Sequence, residues 1–378
     1  MKRLIAFSLI AGVVLVACGP SAQPQPKAKA PQLGTPEQKP GPSATPGEVP
    51  KPQAAAPQPA AQKPLTIGVM PKLVGIPFFN AAEKGAKEAG AELGLTVDYK
   101  GPVENDVQQQ VQMIETWIAK GYDAIAVAPN DPDAIAPVLQ KARKRGITVV
   151  AWDADAQADA RDFFCNQCTY QSVAKALMDV MAERSVPLGE PGVRQGAGQD
   201  AKYLILTGSL TAANQNIWMR EMEAYRQATY PNMTNLSETP KVSEESQELA
   251  TKVTTDCLKA YPDLQGVFAI TSQALPGAAE AIRKAGAADR VFLTGLSTPN
   301  TMREYIKDGT LKRFVLWNPV DLGYLAVQVA VAKARGQLQP GAATFKAGRL
   351  GELKVEGDQV ILGPPLVFDK DNIDQFDF

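Results

Sequence analysis

The sequence predicts an α/β protein built as two doubly wound, parallel-sheet lobes, and three observations carry that prediction. Short β-branched runs alternate with segments whose apolar residues recur at helical spacing, the signature of parallel strands joined by crossover helices. The alternation runs from about residue 65 to residue 155 and starts again near residue 203. Finally, the 378-residue chain still leaves about 315 residues beyond its first 63, enough for two domains.

Thr66–Met70 (TIGVM) reads as a buried strand, and Pro77 opens a helix with Phe79, Ala82, Ala86 and Leu93 near one face. The loop between them carries Lys72, Gly75 and the aromatic pair Phe78 and Phe79. Ligands of open parallel sheets bind beyond the carboxyl ends of the strands, so this loop is a natural site. It lacks the GxGxxG and GxxxxGK[ST] patterns that cradle phosphates, which disfavours a nucleotide. A cation beside aromatic faces suits a small polar molecule with apolar ring faces, such as a sugar.

Asn105 or Asp106 can cap the next helix, with apolar Val107, Val111, Ile114 and Ile118, and Gly121 ends it. Ala124–Ala128 reads as a strand buried on both faces. Asp131-Pro132 then caps a helix with Ile135, Val138, Leu139 and Ala142 on its core face, closed by Gly146. Ile147–Trp152 is the following strand, stopping at Asp153-Ala154-Asp155. The second unit is expected to hold strands at Tyr203–Thr207, Gly266–Ile270, Val291–Leu296 and Arg313–Trp317. Its helices are expected at Ala212–Thr229, Glu244–Ala260 and Pro276–Ala285, with a long packed helix at Asp321–Ala334.

Acidic and basic residues nearly cancel, 40 against 39, so no nucleic-acid footprint is indicated. Histidine is absent, which removes Ser-His-Asp catalysis and most zinc chemistry. Lys2 and Arg3, the apolar run Leu4–Ala17 and a small-residue junction have the layout of an export signal too short to span a bilayer. Leu15-Val16-Ala17-Cys18 resembles the bacterial lipobox, whose cysteine is lipid-modified and becomes the mature N-terminus. Gly19–Lys63, rich in Pro, Ala, Gln and Lys, cannot bury a core and reads as a disordered, partly polyproline II tether.

Beyond the tether the chain resembles type I periplasmic binding proteins of sugar ABC transporters, and within them the autoinducer-2-binding (LsrB-like) and rhamnose-binding branch. The carrying segments are Pro71-Lys72-Leu73-Val74-Gly75, Gly121–Ile125, Trp152–Asp155, Ala260–Leu264, Ser297–Met302 and Phe368–Phe378. The resemblance implies two lobes joined by three crossing strands that close on ligand like a jaw. By position the crossings fall near Asn166–Gln167, Trp317–Pro319 and Ala343–Lys346. That gives residues 64–166 with 318–343 to the first lobe, and 167–317 with 344–378 to the second lobe and a tail over the hinge.

The resemblance also implies ligand contacts. Phe78 and Phe79 match aromatics lining the sugar pocket, though core aromatics would look the same. Lys72 matches a ligand-contacting lysine, Asp153 an aspartate that accepts from ligand hydroxyls, and Gln215 a ligand-binding glutamine. Asp155 fits an N-cap or hinge role. Trp317 and Asn318, at the second crossing, complete the expected set. Asn214, Ile270 and Ser272 depart from the autoinducer-2 pattern of aspartate, proline and alanine, while Ser297 stands where ribose- and galactose-type binders carry aspartate. With Asn214 for aspartate the second lobe is expected to be less acidic, favouring a pentose or deoxyhexose over autoinducer-2.

Cys165-Asn166-Gln167-Cys168 is a CxxC without the helix N-terminus or thioredoxin-like context of a redox motif, leaving a structural disulfide across the first crossing or free buried thiols. Cys257 reads as core. The expected function is a lipid-anchored, extracytoplasmic, monomeric receptor that delivers a small polyhydroxylated ligand to an ABC permease, without cofactor, metal, nucleic acid or catalysis. A sensory subunit for a kinase or chemoreceptor differs only in partner. A cleft enzyme would need a nucleophile or base that the sequence does not offer.

Overall fold

The computed structural model describes residues 64–182 and 197–378. The expected export signal, the lipidated Cys18 and the tether at 19–63 lie outside them. Among the described residues no helix is long and apolar enough to cross a membrane.

The first unit runs β1 (Thr66–Met70), α1 (Pro77–Leu93), β2 (Thr96–Tyr99), α2 (Val107–Lys120), β3 (Ala124–Val127), α3 (Pro132–Lys144), β4 (Thr148–Trp152) and β5 (Phe163–Asn166). The predicted caps do their work: the Asp106 carboxylate accepts from the backbone N–H groups of Gln108 and Gln109, and that of Asp131 from Asp133 and Ala134. Strands β2 and β5 were not expected. TVDY is a half-exposed edge strand without a continuous apolar run, and FFCN has only four residues.

The second unit runs α4 (Tyr170–Ala182), β6 (Lys202–Thr207), α5 (Ala213–Thr229), β7 (Thr234–Asn235), β8 (Lys241–Val242), α6 (Gln247–Ala260), β9 (Gly266–Ala269), α7 (Ala274–Lys284), β10 (Phe292–Gly295), α8 (Pro299–Lys307) and β11 (Phe314–Leu316). Helix α4 carries buried Val173, Ala174, Leu177, Met178 and Met181, a helical period that the sequence reading passed over. Helix α6 starts three residues later than expected. The Ser246 hydroxyl accepts from the Leu249 N–H, while Glu244 and Glu245 take left-handed backbone angles, φ 51° and 54°, and form a tight loop instead.

The chain then returns through α9 (Pro319–Ala334), β12 (Thr344–Lys346), β13 (Glu352–Glu356), β14 (Gln359–Ile361) and β15 (Leu366–Phe368). The first sheet has the order β2-β1-β3-β4-β5-β14-β13-β12, and the second β7-β6-β9-β10 with β8 also on β6. All pairs are parallel except β12–β13, β13–β14 and the separate two-stranded β11–β15 ladder. In each sheet the strand order reverses beside the first strand, which opens a crevice at its carboxyl end.

Residues 344–361 belong to the first sheet, correcting their expected place in the second lobe. Strand β5 is fully buried, and an unpaired edge there would orphan its backbone groups. Strand β14 meets that need, pairing Val360 with Cys165 while the Phe164 N–H donates to the Asp358 carbonyl. The third crossing therefore lies between β14 and β15, at residues 362–365, rather than near Ala343–Lys346. Strand β15 joins β11, and Phe368 packs on Phe314 and Phe376.

Helix α9 is apolar on nearly every side, and is buried against α1, β3 and β4. Two glycines let it approach α1 closely: a Cβ on Gly85 would stand 1.7 Å from the Val320 carbonyl oxygen, and one on Gly323 2.0 Å from that of Ala82.

Among the described residues the three cysteines are free. Cys165 lies on β5 with its Sγ toward the Leu325 carbonyl of α9, at 3.9 Å, and Cys168 is separately buried after the strand. The strand alternation turns Cys165 onto the helix, and burial pushes both thiols well above their usual range. The disulfide alternative is not realised. Cys257 is also a free, buried thiol.

Candidate functional site: a cavity between the two sheets

Loops at the carboxyl ends of both sheets line a cavity of about 40 Å³, far smaller than an open ligand pocket. Lys72 reaches it from the β1–α1 connection, Phe78 and Phe79 from the first turn of α1, and Asp153 from the end of β4. Asn214, Gln215 and Trp218 come from α5, Glu245 follows β8, Ile270, Thr271 and Ser272 follow β9, and Trp317 follows β11. Ile76, Leu296 and Leu316 complete the wall.

Lys72 and Asp153 form a buried pair, Nζ to Oδ2 3.4 Å, each side chain 7 % exposed. Lys72 Nζ also donates to Asn214 Oδ1 at 3.0 Å, and Asn214 Nδ2 to the Asp153 carbonyl at 3.2 Å. Both bonds span the cleft, so the lobes meet at these three residues. Burial pushes the Asp153 carboxyl above the usual aspartate range, and the field of Glu245 adds to the rise; the Lys72 ammonium opposes it without cancelling it. Asp153 sits at φ 62°, a left-handed conformation that aspartate tolerates better than most residues. Gln167 Nε2 and Asn214 Nδ2 hold its carbonyl in place.

Behind Lys72, buried Gln110 donates to the Pro71 and Ala128 carbonyls and accepts from the Asn130 N–H, while Asn130 Nδ2 donates to the Lys72 carbonyl. These bonds tie the β1 loop to the β3 loop and fix where the lysine begins. In the second lobe, Gln215 Oε1 accepts from the Thr207 hydroxyl and the Gly208 N–H, and its Nε2 donates to Glu245 Oε1 at 3.1 Å.

Aromatic rings line the remaining wall in a chain of contacts. Phe79 meets Trp152 and Phe78, Phe78 meets Trp317, and Trp317 meets Trp218, with ring centroids 5.1–6.1 Å apart. Such faces pack against apolar ring faces of a ligand.

Of the residues expected at the site, Lys72, Phe78, Phe79, Asp153, Asn214, Gln215, Ile270, Ser272 and Trp317 are gathered around this one cavity. Ser297 and Asn318 are not on its wall. The Ser297 hydroxyl donates to the Ser272 carbonyl at 2.9 Å and so supports the β9 loop. Asn318 Oδ1 caps α9, accepting from the Val320 N–H at 2.9 Å. Asp155 binds Arg161, which also pairs with Asp358, away from the cavity.

Sequence reasoning missed Trp218, Glu245 and Thr271. Trp218 was accessible, since it lies one helical turn beyond Asn214 on the same face. Glu245 had no signal, because a Glu-Glu pair before an apolar periodic run reads as a helix start. Its carboxylate places an acidic group on the second-lobe wall beside Asn214. Among the described residues no group of three His, Cys, Asp or Glu side chains is gathered to hold a metal ion.

A family profile described as a periplasmic binding protein domain matches residues 67–338. The D-ribose/D-allose-binding protein of Pseudomonas aeruginosa is 27 % identical over 82 % of this chain and 85 % of its own. Among solved structures, LsrB from Clostridium saccharobutylicum in complex with AI-2 is similar at TM-score 0.76 and 28 % identity, over 83 % of this chain and 100 % of that one. An ABC transporter solute-binding protein from Clostridium phytofermentas with bound L-rhamnose matches at TM-score 0.76 and 27 % identity, over 83 % and 98 %. With two doubly wound sheets closing a polar and aromatic cavity between them, the chain belongs to the periplasmic binding protein family, the solute-binding proteins of sugar ABC transporters.

Proposed function

We propose that this protein is an extracytoplasmic receptor, lipid-anchored through Cys18, that captures a small polyhydroxylated ligand by cleft closure and hands it to an ABC permease. The observation that carries this reading is the composition of one cavity. Charged and amide groups from both lobes converge on it, beside a wall of aromatic rings. Carboxylate and amide groups satisfy hydroxyls, and aromatic faces take the apolar face of a sugar ring. The ligands named for the relatives, ribose, allose, L-rhamnose and AI-2, share that chemistry. With Asn214 in place of an aspartate, a pentose or deoxyhexose is favoured, and an autoinducer-2-like molecule is the alternative. The chain acts as a monomer and makes or breaks no bond of its ligand.

Closure follows from contacts made by both lobes: a ligand touching Lys72 and Asp153 on one side and Gln215 on the other favours the closed arrangement over the open one. Titration with D-ribose, D-allose, L-rhamnose, D-arabinose and autoinducer-2 tests the reading. Binding should raise the melting temperature by mass action and reduce the radius of gyration in X-ray scattering, with far-ultraviolet dichroism nearly constant. No thermal shift with any of them, or an unchanged radius at saturation, refutes it.

The raised Asp153 carboxyl adds a pH signature. Its ionised form accepts from hydroxyls, so affinity should be flat at neutral pH and fall as pH drops through the raised value, which lies above 3.8. The fall should begin at higher pH than for an ordinary aspartate. Affinity measured from neutral pH to about pH 4 checks this, and a flat profile across that range contradicts it.

A further inference from the structure

The cleft holds one carboxylate whose charge nothing yet described answers. Lys72 and Asp153 answer each other, but Glu245 lines the same cavity and pairs with no lysine or arginine among the described residues. Its Oε1 accepts from Gln215 Nε2, and its Oε2 from the Thr271 hydroxyl. A carboxylate has about four acceptor positions, so two remain open.

Several features fix where this carboxylate points. Glu244 and Glu245 both occupy the left-handed region, which costs a non-glycine residue energy unless its surroundings hold it there. Gly208 lies opposite, and a Cβ on it would come within 1.9 Å of Glu245 Oε1. The loop, the facing glycine and two hydrogen bonds thus position one side chain at the cavity wall.

A second, independent observation lies on the same wall. Trp218 is 2 % exposed, and its Nε1 is a buried donor without a protein acceptor. An indole N–H can only donate, and a buried donor left unmade is costly. One wall therefore carries a carboxylate with open acceptor positions and, at Trp218 and Trp317, two buried indole donors without a protein acceptor. A hydroxyl is donor and acceptor at once.

Resting on the sugar-binding reading above, we propose that Glu245 and Trp218 form a second-lobe subsite that reads neighbouring hydroxyls of the bound sugar. One hydroxyl donates to the Glu245 carboxylate, and its neighbour accepts from the Trp218 indole N–H. Glu245 is then the group that rejects analogues lacking the hydroxyl it binds, because a carboxylate shut into the closed cleft short of donors is penalised.

The test uses the full chain, with tryptophan fluorescence titrations against D-ribose, D-allose, L-rhamnose and D-arabinose, then against monodeoxy analogues of each sugar that binds. Glu245→Gln should weaken binding roughly tenfold or more at unchanged melting temperature, and Glu244→Gln on the exposed neighbour should not. For Glu245→Gln the discrimination against one particular deoxy analogue should collapse, while that against the others persists. Gly208→Ala, which displaces the carboxylate without deleting it, should weaken binding too and serves if Glu245→Gln does not fold. Wild-type binding retained in full by Glu245→Gln, or lost equally for every analogue, overturns this proposal while leaving the sugar-binding reading intact. No binding of any of these sugars by the wild-type protein overturns both.

Discussion

Asp153→Ala is expected to weaken sugar binding by roughly 10- to 150-fold, the equivalent of about 1.5–3 kcal/mol for a hydrogen bond to a charged group. Lys72→Ala should do the same. These two residues, joined at 3.4 Å and both contacting Asn214, are where the first lobe meets the second, so each deletion removes a ligand partner and part of the closed state. The melting temperature of the ligand-free protein should change little for Lys72→Ala and fall modestly for Asp153→Ala, since alanine fits the left-handed angle there less well. Burial disfavours the Asp153 charge while the ammonium favours it, and parting of the lobes returns both groups to water. Calorimetric titration beside thermal unfolding separates the two quantities. An Asp153→Ala protein that binds every sugar as the wild type does would show that the cavity is not the site.

Gly85→Ala is expected to give the largest loss of stability of any single methyl group added at the α1–α9 contact. The new carbon would sit 1.7 Å from a backbone oxygen, which cannot swing aside as a side chain can. Overpacking of this kind costs about 1–3 kcal/mol and sometimes more. At roughly 2–4 °C per kcal/mol, the melting temperature should fall by about 2–12 °C. Gly323→Ala, facing the same helix pair, should lose a similar amount, and the double variant should lose less than the sum because the two sites share one displacement. An unchanged melting temperature for Gly85→Ala would contradict so close an approach of the helices.

The alternation of strand and helix was legible wherever burial was two-sided or a cap was spelled out. AIAV of β3 and the Asp131-Pro132 start of α3 are examples, because parallel strands buried on both faces and Asx caps leave marks within a few residues. What escaped was set by partners distant in sequence. Strands β12 to β14 read as polar, half-exposed segments, and only the exposed edge of β5 explains where they go. The β1 loop was legible because strand ends converge by topology, and the site residues after β4, β6 and β9 were legible only through the family resemblance. Ser297 and Asn318 were expected on the wall through the same resemblance, yet backbone groups claim both side chains. Glu245 escaped because its position depends on two left-handed residues, and such angles leave no trace in glutamates.

The way the last strands close the first sheet governs the order in which the molecule can fold. Gln359 of β14 pairs with Phe164 of β5, and between them in sequence lies the whole second lobe. Helix α9, which fills the space against α1, also comes after that lobe. A ribosome would therefore release most of the first lobe's strands long before the pieces that complete it, so the first lobe finishes late. Contacts of such long sequence separation slow folding. A chain that stays unfinished until its end has emerged also stays threadable, the condition that passage through a narrow export channel imposes.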